Sequence, residues 1–281
     1  MLAEARETPR LVVRMLRSGC PAPLDSAGFH SQLLFGQPHA PAALSRYLDR
    51  PDDASGVWIR ADPVGLTPDL GAVWLDDRAS LSPESPVVAE LIDMFAEEGL
   101  EFDLPVAERG YLRLKEEPDC QFFPPWQLAG QSMEHVWPAG VEARRWRRLL
   151  NETQVILHQH SCRHVGLPGS LWFWGAGRLP ETISTPRVRR VTASSHELWA
   201  AAAWAGLNSE SDKPAPGTMA GSLLEWPVDD RLSADENLTR LGSWLGGCWR
   251  RLRFDRKVRT LELACENRIW RFSTLDAWRP W

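Results

Sequence analysis

The sequence predicts a mixed α/β protein of the α+β kind, with mixed sheets flanked by helices and a small α+β layer in its N-terminal part. Three observations predict it. Trp146, Leu149, Leu150, Thr153, Ile156, Leu157 and His160 recur at steps of three and four, which is the buried stripe of a helix. Ser170–Trp174 (SLWFW) follows the breakers Gly166, Pro168 and Gly169 and reads as a buried strand. Its Leu171 and Phe173 face one way, Trp172 and Trp174 the other. Between Val57 and Leu114 the pattern reads strand–strand–helix–strand–strand.

In chain order, residues 1–20 predict a helix with Leu11, Met15 and Leu16 on one side. A Pro-rich segment containing FHSQLLFG runs to Pro41, then a short helix from Ala42 to Leu48. Val57–Val64 is a strand that ends at Pro63. Leu66–Gly71 is a turn and Ala72–Leu75 a second strand. Ser82-Pro83-Glu84 starts a helix that buries Val87, Val88, Leu91, Met94 and Phe95 and stops at Gly99. Leu100–Leu104 and Gly110–Leu114 are strands, and 115–140 is a loop. After the central helix and strand come a helix over His196–Leu207, a linker over Ser209–Gly217 and a strand over Ser222–Val228. Ser233 and Glu236 have capping-box spacing before a helix bearing Leu238, Leu241, Leu245, Cys248 and Leu252. Val258–Ala264 and Arg268–Phe272 form a hairpin. The chain divides into a small α+β lobe over 1–130 and an α/β lobe over 131–281, with no internal repeat.

Composition narrows the function classes. A hydrophobic content of 43% with 25% charged residues is that of a globular protein. No apolar run approaches the ~20 residues that span a bilayer, and the N-terminus has no signal-peptide pattern. The expectation is a cytoplasmic protein without a membrane role. The five cysteines form no Cys-x-x-Cys pair, so neither a zinc site nor a disulfide framework is expected. Ten acidic residues and one basic residue lie between Asp69 and Asp103; ten basic and four acidic lie from Arg240 to the end. Because the cations are spread over a helix and a hairpin, solvated faces are preferred to a nucleic-acid surface. The fifteen tryptophans, several beside arginine, suit the rim of a core.

Gly175-Ala176-Gly177-Arg178 follows the aromatic strand as a turn. Glycines allow close backbone approach and an arginine fork suits phosphate, so the turn is either purely structural or an anion site. Asn151 and His158 share a second face of the central helix, and His160 points away from His158. Arg163 follows closely. The plainer readings are a helix-surface amide for Asn151, a hydrogen-bonded core histidine for His160, and surface ion pairs for Arg163 and Arg178. Ser194-Ser195-His196 are merely neighbours in sequence, and no Gly-x-Ser-x-Gly elbow exists.

Three stretches carry a resemblance. WIRADPVGLTPDL (Trp58–Leu70), WRRLLNETQVILHQH (Trp146–His160) and GSLWFWGAGRLP (Gly169–Pro180) resemble the RpfE-type regulatory proteins of bacteria, which are cofactor-independent phosphoglycerate mutase-like. With the segments between, the likeness covers roughly residues 25–205. Where the family has histidine after Asp-Pro-Val this chain has Gly65, and Gly169 stands for an asparagine. A more distant likeness is to archaeal-type phosphoglycerate mutases of the alkaline phosphatase superfamily, in which two metals and a Ser or Thr nucleophile carry phosphoryl transfer. The resemblance implies a phosphoglycerate mutase-like scaffold. It implies late Asp and His ligands too, yet no histidine follows His196.

The expectation is therefore a catalytically degenerate, phosphoglycerate mutase-like pseudoenzyme, a regulatory module or one that binds a phosphorylated small molecule. No residue is assigned to catalysis or to metal, and no cofactor is expected. The ligand candidates are Arg178, Gly175, Gly177, Asn151, His158, His160 and Arg163. One alternative is an active Mn- or Zn-dependent phosphoglycerate mutase or phosphohydrolase. Another is a protein-interaction module that uses exposed tryptophans and the charged faces to hold a protein partner.

Overall fold

The structure is a computed structural model. It describes residues 12, 15, 21–25, 27–69, 72–76, 78–127, 137–161, 166–210, 220–226, 228–229, 231–265 and 268–278. The chain forms two compact units, one of Ser26–Ser31 with Gln37–Ile183, the other of Ser184–Trp281 with Gln32–Gly36 and the residues up to Asp25. The expected boundary at 130 falls inside the larger unit, because a strand beyond it pairs with the first long strand of that unit.

Ahead of that strand lie the two-residue β1 (Ala22–Pro23), α1 (Phe29–Phe35) and α2 (Pro41–Asp49). α1 occupies the stretch FHSQLLF, which the sequence pattern leaves irregular. The larger unit is built on β2 (Val57–Asp69), whose pairings are all antiparallel. Its last residues pair with β3 (Ala72–Asp76), its first with β5 (Arg109–Leu114), and its other edge with β8 (Ser170–Arg178). β4 (Glu101–Val106) completes the sheet beside β5. β2 does not stop at Pro63. The β5 ladder reaches only Arg60, so beyond it β2 has β8 as neighbour on one edge, and the missing N–H of Pro63 is tolerated there. The predicted turn at Leu66 is likewise strand.

Two helices cover one face of this sheet. α3 (Pro86–Glu97) buries Val87, Val88, Leu91 and Phe95, as its spacing predicts. It begins at Pro86, after Ser85, because proline suits the first helical position. Gly99, at φ 71°, ends it. α4 (Ala143–Ser161) buries Trp146, Leu149, Leu150, Thr153 and Leu157. Phe173 of β8 meets both helices, edge-on to Phe95 and to Trp146 at 6.2 and 5.3 Å between ring centroids. The short strands β6 (Cys120–Gln121) and β7 (Ala139–Gly140) pair within the stretch expected to be loop.

In the smaller unit β9 (Arg190–Thr192) pairs in parallel with β10 (Ser209–Glu210) and β11 (Ser222–Leu224), and α5 (His196–Trp204) lies between β9 and β10 in the chain. The first residues of the expected linker are thus strand, and 211–217 lie outside the described residues. α6 (Ala234–Phe254), the hairpin β12 (Thr260–Cys265) and β13 (Arg268–Ser273), and α7 (Thr274–Trp278) follow. Their core gathers Leu245, Leu252, Trp270, Phe272 and Ala277 with the helical Val12 and Met15; Leu11 and Leu16 lie outside the described residues.

The capping box forms as the spacing predicts. Glu236 N–H donates to Ser233 Oγ, and Ser233 N–H donates to the Glu236 carboxylate at 2.8 Å. Those bonds from Ser233 hold the Glu236 carboxyl below its ordinary pKa. A lowered folded-state pKa contributes stability above the ordinary carboxylate value and loses it as pH falls through the lowered one. Ser233→Ala removes the hydroxyl that bonds both the Glu236 carboxylate and its N–H, so it should lower stability near neutral pH more than in acid. Urea unfolding at both pH values checks this; an equal loss at both would mean that the bond from the Ser233 hydroxyl to the carboxylate adds nothing.

Candidate functional site

Gly175–Arg178 is not a turn. It is the second half of β8, inside the sheet. Backbone pairing continues to Val57–Arg178 across a register shift between Trp58 and Arg60. Gly175 has φ 70° and Gly177 φ 150°, and both lie under the start of α2. A Cβ on Gly175 would stand 3.3 Å from Pro41 Cβ, and one on Gly177 would stand 2.6 Å from Ala40 Cβ. The glycines serve the approach of helix to strand, and α2 fills the space that an anion would need. Arg178 is exposed at the strand end. Ala176, packed on the core, continues the strand alternation and was the available signal.

The face of the sheet under α2 is polar within and aromatic around. Arg60 Nε donates to Asp62 Oδ1 at 2.8 Å, and Arg60 Nη1 to Ser45 Oγ at 3.0 Å. Trp174 Nε1 donates to Asp62 Oδ2 at 2.7 Å. All four residues are buried. Arg46, also buried, lies 4.3 Å from the centroid of Trp58 and pairs with Asp53 and Asp103. Tyr111 O–H donates to Asp49 at 2.6 Å, and burial pushes its phenol well above the usual value. The Arg60 and Asp62 of the WIRADPV motif thus bind α2 to the sheet. Each is held by the other and by neighbouring side chains, which leaves little for a ligand.

An open groove of about 770 Å³ lies beside the outer face of α4. Met94, Val141, Val155 and Ile156 give it apolar walls; Arg144, Arg147, Arg148 and Asn151 give it donors. Arg148 is engaged by Glu98 at 2.7 Å and Glu152 at 3.3 Å, and the Glu98 bond raises its pKa further. Arg147 Nε donates to the Pro138 carbonyl, and its remaining guanidinium donors have no bond among the described residues. Arg144 is exposed and has no ion pair among them. Arg144, Arg147 and Asn151 follow at steps of three and four, so they share one face.

Of the predicted candidates, only Asn151 belongs to this groove. His158 is exposed on α4. His160 is hydrogen-bonded, as its plainer reading has it, but at the rim: Nε2 lies 2.7 Å from Glu90 Oε2 and ties α4 to α3. Arg163 lies outside the described residues. The groove arginines were legible as charge on a helix but not as a site, because their partner wall comes from α3 and β7. Among the described residues no three His, Cys, Asp or Glu are gathered as for a metal ion. Burial raises the Cys120 and Cys248 thiols to about 11. Ser195 caps α5, and the N–H groups of Ser194 and Ser195 donate to Glu225 at 2.8 and 2.6 Å, so these serines and His196 start a helix. No described helix is long and apolar enough to cross a membrane.

Neither a family profile nor a curated protein matches the sequence. Among solved structures the chain is similar to a cofactor-independent phosphoglycerate mutase from Thermoplasma acidophilum DSM 1728, at 15% identity and a TM-score of 0.40, over 95% of this chain and 82% of that one.

Proposed function

We propose that the chain is a non-catalytic regulatory module that binds a phosphorylated small molecule in the groove beside α4. The observation that carries this reading is the convergence of Arg144, Arg147 and Asn151 above apolar walls. Arginine forks bind phosphate oxygens in pairs, and an amide N–H₂ adds a neutral donor. Met94, Val141 and Val155 suit the carbon skeleton of such a ligand. The three sequence stretches that resemble the RpfE-type proteins support a regulatory role on a phosphoglycerate mutase-like scaffold. The absence of histidine after His196 supports loss of the inherited phosphoryl transfer.

Calorimetry with 3-phosphoglycerate and with inorganic phosphate tests the reading. Arg144→Ala with Arg147→Ala should weaken binding about tenfold or more, since a hydrogen bond to a charged group contributes about 1.5–3 kcal/mol. Arg178→Ala should leave it unchanged. Binding of neither probe by the unaltered protein would sink the proposal. Turnover of 3-phosphoglycerate in the presence of Mn²⁺ would replace it with the metal-dependent enzyme.

A further inference from the structure

The end of α6 and the short α7 present a second surface, in the smaller unit. Phe254, Leu275 and Trp278 are 67%, 74% and 54% exposed. The rings of Phe254 and Trp278 meet edge-on, 5.5 Å apart. The Arg253 guanidinium lies 4.2 Å from the centroid of Trp278 and 5.4 Å from that of Phe254. Leu275 precedes Trp278 by three residues, one turn earlier on α7. Three large apolar side chains are thus exposed on two adjoining elements, with a cation stacked among them.

The charge around them is mainly positive, five exposed cations against the partly exposed Asp255 and Asp276. Arg250, Arg253, Arg256, Lys257 and Arg259 are all exposed, and none is in an ion pair among the described residues. The two nearby acids are occupied. Asp255 accepts from Arg251 at 3.1 Å and from the Lys257 backbone N–H, and Asp276 accepts from the N–H and hydroxyl of Ser273 at the start of α7. An occupant must therefore be anionic and must also take up apolar side chains.

We propose that this face docks the protein on an anionic lipid surface, lying in the interface and spanning nothing. Cations beside Trp, Phe and Leu are what a headgroup boundary accepts: charges remain at phosphate level while the apolar groups enter the acyl edge. Nucleic acid fits less well. Leu275, the most exposed of the three, has no use in base stacking, and Arg253 already covers the Trp278 ring.

Flotation of the full chain with vesicles tests the proposal. The protein should float with phosphatidylcholine vesicles containing phosphatidylglycerol, not with phosphatidylcholine alone, and high salt should release it. Phe254→Ser with Trp278→Ser, which leaves the charge unaltered, should lower partitioning about tenfold or more. Leu275→Ser should lower it independently. Alanine at Arg256, Lys257 or Arg259 should cost about fivefold each. These side chains are exposed, so circular dichroism should be unchanged in every variant. Failure of the unaltered protein to float with anionic vesicles overturns the proposal, as does flotation indifferent to the aromatic pair and Leu275. Binding of duplex DNA without vesicle binding would reassign the face to nucleic acid.

Discussion

Asp62→Ala should destabilise the larger unit by about 3–5 kcal/mol, the cost of removing one partner of a buried ion pair. Arg60 and Asp62 are 3% and 6% exposed, so water cannot replace the lost carboxylate. The substitution strands two donors, Arg60 Nε and Trp174 Nε1, both of which bond that carboxylate. A buried donor without an acceptor costs about 1–3 kcal/mol, and more when charged. Asp62→Asn keeps an acceptor but removes the charge, so it should fall between the two. Replacing Arg60 with Met and Asp62 with Leu together should recover part of the loss, since the buried charge goes too. Urea unfolding of the four proteins measures this. An Asp62→Ala protein as stable as the parent would show that the pair is not buried as described.

Gly177→Ala should cost about 2–6 kcal/mol, from two sources. At φ 150° the residue lies where L side chains carry strain of about 1–3 kcal/mol. The new methyl would also stand 2.6 Å from Ala40 Cβ, so the start of α2 must move, an overpacking cost of about 1–3 kcal/mol. Adding Ala40→Gly removes the collision and leaves the backbone strain, so the double variant should regain part of the stability. Their non-additivity in thermal unfolding isolates the contact. Gly177 as part of an anion loop makes a different prediction: phosphate affinity would fall while stability held. Loss of phosphate binding by a fully stable Gly177→Ala protein would restore the loop reading.

Periodicity was informative wherever one side chain after another met the same neighbour. The stripes of α3 and α4, the paired strands on either side of α3, the hairpin β12–β13 and the capping box at Ser233 are legible because each is a local repeat or a three-residue contact. Breakers misled where tertiary pairing overrode them. Pro63 sits within β2 because that stretch of the strand has a neighbour on one edge, and Gly175 and Gly177 sit within β8 because α2 lies on them. The expected lobe boundary at 130 lies within the larger unit for the same reason, since β8 joins β2 across more than a hundred residues of chain.

Site residues divide the same way. The sequence by itself determined that α4 has a polar face bearing Asn151; for ligand groups beside it, the residues point to Arg178 and the β8 glycines, not to Arg144 and Arg147. It also determined the buried aromatic strand and the cap of α6. Only the tertiary structure decided that Arg60 and Asp62 neutralise each other beneath α2, that Gly177 makes room for a helix, and that a groove opens beside the arginines. The physical reason is one of range. Spacing along a chain encodes which side chains share a face. Whether that face meets a helix, an ion partner or open space depends on segments far away in sequence, brought there by burial of the common core.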